Sequence, residues 1–74
     1  MPNPASNFLY VQHNLGQIKS LDILSMDGKQ EKVTLKKKEE TNFEIDTRNL
    51  KPGMYLLRIG YKEGKVTRKF VIER

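Results

Sequence analysis

The sequence has no cysteine and no tryptophan, and it has a single histidine. Without cysteine there are neither disulfides nor thiolate metal sites, and an oxidising compartment is neither required nor excluded. No apolar run approaches the ~20 residues that a membrane helix needs. The opening Met1-Pro2-Asn3-Pro4-Ala5-Ser6 has neither the basic nor the apolar region of an export signal. The expectation is a soluble chain with no N-terminal export signal, in which Met1 reads as an initiator set before an excised domain.

The same poverty extends to catalytic groups. His13 sits beside Asn14-Leu15-Gly16 in an expected surface turn, and no serine or acid stands near it in a motif that positions a nucleophile. The carboxylates Asp22, Asp27, Glu31, Glu39, Glu40, Glu44 and Asp46 are scattered over outward or turn positions and form no ligand cluster. Gly53, Gly60 and Gly64 fall in strands and turns, not in a phosphate-cradling loop before a helix. A chain of 74 residues also has little room for a concave substrate pocket. The expectation is therefore no enzyme, no metal, no cofactor and no small-molecule substrate.

What is present is charge, unevenly placed. The net charge is +5, yet residues 1–46 hold six Lys/Arg against seven Asp/Glu, while residues 47–74 hold eight against two. Such asymmetry points to an acidic partner, a polyanion or an anionic surface. It also fits a solvated β-surface whose lysines guard exposed strand edges.

Apolar residues recur with period two and no stretch carries a useful helical repeat, which predicts strands. Asn7 to Gln12 is apolar on both faces and reads as an interior strand. Ile18 to Ser25 places Leu21 and Ile23 on one face, and Asp27-Gly28 is the dipeptide favoured where both central turn residues need positive φ. Gln30 to Leu35 is the expected return strand, with Val33 and Leu35 inward. Lys36 to Glu40 is a run of charges with no core position, a solvated loop or a fraying strand end. Asn42 to Asp46 follows with Phe43 and Ile45 inward. Leu50 is expected to plug the end of the core, and Pro52-Gly53 fits the centre of a type II turn. Met54 to Tyr61 is the expected central strand, and Lys62-Glu63-Gly64-Lys65 is a charged hairpin tip before a last strand, Val66 to Ile72.

Six to seven short strands imply an all-β fold, a small antiparallel β-sandwich or open barrel forming a single domain over residues 1–74. The expected core is Phe8, Tyr10, Leu21, Ile23, Val33, Phe43, Ile45, Leu50, Tyr55, Leu57, Ile59, Phe70 and Ile72. A basic β-barrel that binds nucleic acid is one alternative, but most aromatics fall on core faces and are not interleaved with Lys/Arg on a polar face. A protein-interaction or adhesion module of sandwich type is the other.

Four segments together carry a resemblance. They are Pro2-Asn3-Pro4-Ala5 ahead of an apolar strand, Ile23-Leu24-Ser25-Met26-Asp27-Gly28-Lys29, the run from Asp46 through Leu50, Gly53 and Tyr55, and the closing Gly64 to Arg74. In that order the chain resembles the type A C-terminal sorting domain of type IX (Por) secretion cargo from Bacteroidetes. The resemblance implies an immunoglobulin-like sandwich at the end of a larger exported protein. Such cargo passes through the periplasm and is selected by an outer-membrane translocon. A sortase-like surface peptidase then cleaves and attaches it, or the domain is retained as an anchor at the cell surface.

The same resemblance implies a cleavage point in the linker ahead of Pro2, and the placement of the aromatics on core faces leads us to expect no nucleic-acid partner. Met1 stands where relatives often have an aromatic residue. Pro2, Asn3, Pro4, Asp46, Leu50, Gly53, Tyr55 and Lys69 match the family motifs, most of them for reasons of backbone geometry or burial. The residues expected to touch a partner are Lys65, Thr67, Arg68, Lys69 and Arg74. A terminal edge strand can add to another sheet, so a weak homodimer through edge strands is also expected.

Overall fold

The computed structural model describes residues 4–5 and 7–73. Among them there is no helix and there are eight strands: β1 (Pro4–Ala5), β2 (Phe8–Gln12), β3 (Ile18–Ser25), β4 (Gln30–Glu31), β5 (Thr34–Lys38), β6 (Asn42–Asp46), β7 (Gly53–Tyr61) and β8 (Gly64–Ile72). A five-stranded sheet runs in the order β1-β8-β7-β3-β4, and a three-stranded sheet in the order β2-β6-β5. All pairings are antiparallel except β1 with β8. The all-β sandwich expected from the sequence is what forms.

Alternation decides which side of each strand is buried. β7 turns Tyr55, Leu57 and Ile59 inward and Met54, Leu56 and Arg58 outward. Phe70 and Ile72 of β8, Ile23 of β3, and Phe43 and Ile45 of β6 join them in the interior, with Leu50 buried where β6 passes into β7. Each such side chain contributes roughly 1.5–3 kcal/mol by leaving water. Tyr55 and Phe70 are cross-strand partners whose rings stack with centroids 5.7 Å apart. A bulge between Ile18 and Ser20 shifts the register by one, so Ile18 is buried on the same face as Ile23 although their numbers differ in parity.

Several expectations need correction. Phe8 and Tyr10 are not core residues: they are 38% and 56% exposed, and Leu9 is the buried member of β2. β2 is an edge strand of the small sheet, with Leu9 opposite Ile45 and Val11 opposite Phe43. An apolar residue on each face cannot be buried twice there, and the side facing the other sheet wins.

The return strand is likewise split in two. Gln30 and Glu31 pair with β3 in the large sheet, and Thr34 to Lys38 pair with β6 in the small one, so the chain changes sheets at Lys32 and Val33. This split and the short β1 raise the strand number above the six or seven expected. Leu35 stays 42% exposed because β5 is an edge, and Lys36 to Lys38 are the strand's exposed outer end.

The turn chemistry also differs. Asp27 does not adopt positive φ. Gly28 N donates to Ser25 O at 2.9 Å, Ser25 N donates to Lys29 O at 2.8 Å, and Gly28 alone takes a left-handed φ of 89°. That is a three-residue loop with a glycine bulge. Gly53 has φ of 149° and opens β7, far from the roughly +80° of a type II turn.

Candidate recognition edge

The hairpin of β7 and β8 turns on Lys62 and Glu63 between the paired Tyr61 and Gly64. A two-residue loop is closed by a hydrogen-bonded pair, and bonded and non-bonded pairs alternate from there. Val66, Arg68, Phe70 and Ile72 therefore bond to β7. Lys65, Thr67, Lys69 and Val71, opposite Gly60, Arg58, Leu56 and Met54, turn their N–H and C=O groups to the other side.

β1 covers only the far end of that side, with Pro4 opposite Val71 and Ala5 opposite Ile72. Val71 directs both of its main-chain groups at β1, so in this parallel pair Pro4 faces away from β8 and its missing N–H costs no ladder bond. Among the described residues no strand pairs with the outer side of Gly64 to Phe70.

Three of the expected contact residues are thus brought together. Lys65, Thr67 and Lys69 are exposed, share the outer face of the large sheet and turn their main-chain groups to the edge that no other described strand meets. Neither lysine has a carboxylate opposite it in β7. On that face Asp22, opposite Arg58, accepts from Arg58 at 3.3 Å and from Gln30 at 2.9 Å. Arg68 is exposed but belongs to the opposite side of the strand, and its Nη1 donates to Thr67 O at 3.0 Å. This guanidinium therefore occupies one carbonyl of the open edge. Arg74, Pro2 and Asn3 lie outside the described residues.

The motif between β6 and β7 is architectural. The Asp46 carboxylate accepts from Arg48 Nη2 at 2.7 Å, Arg48 Nε at 3.0 Å and the Arg48 amide at 3.0 Å. The side-chain bond to Arg48, with its amide and charge, holds the Asp46 carboxyl down at about 2. Arg48 also lies 5.3 Å from the Phe8 ring centroid, on the outer face of β2. Thr47 N donates to Asn7 O at 2.9 Å, and Asn49 Nδ2 donates to Lys32 O at 3.0 Å, tying the connector to both neighbouring crossings. The buried Tyr55 donates its hydroxyl to Lys51 O at 2.6 Å, which satisfies its polar end at the start of β7.

Two surfaces are not visible in the sequence pattern. One is a cleft of about 360 Å³ between β2 and β8, with Leu9, Val11, Val66 and Phe70 in its walls and Arg68 at its border. Alternation in β2 is the available signal, but it favours both faces equally, and the larger aromatics are the natural choice for the inward set. The other is the outward pair Phe8 and Tyr10, an aromatic-x-aromatic platform of the kind that stacks on bases. Its cross-strand partners are Asp46 and Glu44, and Arg48, which pairs with Asp46, lies against the Phe8 ring.

The family model for the secretion system C-terminal sorting domain matches residues 1–73. The chain belongs to that family. No curated protein and no solved structure matches the chain. As a sorting domain it marks cargo for type IX secretion towards the outer membrane or cell surface and is recognised by that machinery. Domains of this family are in general non-catalytic. Among the described residues there is no group of acids and histidine that could hold a metal ion.

Proposed function

We propose that the β7–β8 hairpin is the part of this sorting domain that the outer-membrane translocon reads, and that Lys65, Thr67, Arg68, Lys69 and Arg74 carry the contact. The observation behind this reading is the coincidence, on one stretch of β8, of a main-chain edge that no other described strand pairs with and two lysines with no carboxylate opposite them in β7. Main-chain groups supply affinity in strand addition, and flanking side chains supply selectivity. The domain acts as a single unit over residues 1–74 and performs no chemistry. Its cargo crosses the periplasm, meets the translocon and is then cut from the domain by a sortase-like peptidase in the connecting segment, or is held at the surface by the domain itself.

The test is export of a periplasmic reporter fused ahead of residues 2–74 in a cell with an active type IX system. Lys65→Glu with Lys69→Glu is expected to leave the domain folded and the reporter in the periplasm. Surface delivery at the unaltered level would overturn the reading. Removing Phe70 to Arg74 is a weaker test, because Phe70 and Ile72 are buried and their loss unfolds the domain.

A further inference from the structure

We infer that the open edge of β8 takes an extended strand of alternating acidic and apolar residues, acidic side chains over Lys65 and Lys69 and apolar ones over the cleft between β8 and β2. The inference rests on the reading of β8 as the recognised edge and supplies the chemistry of what pairs with it.

Lys65, Thr67 and Lys69 direct their N–H and C=O groups away from β7, and no described strand meets them. A strand laid along such an edge places successive side chains on opposite faces of the extended sheet. On the outer face its neighbours are Lys65 and Lys69, four residues apart with Thr67 between them. The ion pairs among the described residues are Arg48–Asp46 and Arg58–Asp22, and neither involves β8. Cross-strand neighbours of opposite charge are favourable and those of like charge are not.

On the inner face the added strand overhangs the cleft, whose walls hold Leu9, Val11, Val66 and Phe70, with Arg68 between the last two. Alternate apolar residues of the newcomer fall there. A second copy of β8 fits less well, because antiparallel pairing of this edge with itself brings the lysines of the two copies onto the same face.

The full chain is titrated with two blocked seven-residue peptides, one alternating Glu with Val and Ile and one with Lys in place of every Glu. Amide exchange at Lys65, Thr67 and Lys69 is followed by NMR. The acidic peptide is expected to slow exchange of the Lys65 and Thr67 amides, and the basic one to bind at least about tenfold more weakly. Lys65→Glu with Lys69→Glu, both exposed, is expected to reverse that preference. Equal binding of the two peptides, no protection on β8, or protection confined to Met54 and Leu56 would overturn the inference. Export of the reporter is a separate readout, so a failed titration with β8-dependent export refutes this strand chemistry and leaves the sorting reading intact.

Discussion

Asp46 and Arg48 act as a clamp two residues long at the exit of β6, where the chain leaves one sheet for the other. The Asp46 carboxyl is lowered from its ordinary 3.8 to about 2, so the folded state binds this proton less readily than the unfolded chain. Its contribution to stability is therefore fully present above about pH 4 and is lost as pH falls through about 2. Asp46→Asn is expected to lower the melting temperature at neutral pH, with the two melting curves converging towards pH 2. Arg68 is a second residue whose replacement is informative. Its guanidinium reaches the Thr67 carbonyl and so brings a positive charge to the edge of β8. Arg68→Ala should weaken binding of the acidic peptide, which titration would show. Unchanged or tighter binding would identify Arg68 as a guard of the edge and not a contact.

β8 does two jobs on its two sides. Phe70 and Ile72 are buried, whereas Lys65, Thr67 and Lys69 are exposed. Phe70→Ala is expected to cost about 3–5 kcal/mol through the lost stack on Tyr55 and the cavity left behind. Lys69→Glu should change stability by less than about 0.5 kcal/mol. Chemical denaturation of both variants checks the contrast, and only the second is suitable for export studies. This division was legible in part: Phe70 and Ile72 lie two apart and share a face, although Val71 between them is equally apolar, and Lys65, Thr67 and Lys69 fall on the other face. In β2 alternation does not discriminate, since Phe8 and Tyr10 match Leu9 and Val11 in hydrophobicity. Only the pairing of β2 with β6 shows which pair faces the other sheet. The crossing at Lys32 and Val33 was hidden for a related reason: Gln30 to Leu35 keeps its period of two through the change of sheet, so nothing local marks it.

At the level of the whole molecule, the large sheet is built around β7 and the small one around β6. β5 is exposed at every position, while β7 is bonded on both sides and buries Tyr55, Leu57 and Ile59. Native-state hydrogen exchange is expected to show β5 amides opening first and β7 amides only with global unfolding. Protection in β5 equal to that in β7 would contradict this. The all-β class, the central position of residues 54–61 and the basic closing hairpin could be read from periodicity and charge. The cleft could not, because it lies between edges that are more than fifty residues apart in the chain.

β7 joins β8 to β3 and so holds the middle of the five-stranded sheet, yet it is among the last strands of this domain to be synthesised. A translation product that stops short of this hairpin lacks the keystone of its own address label. On the proposed reading of β8, cargo whose message is not read through to these strands lacks its ticket for export, and the fold doubles as a receipt for synthesis carried this far.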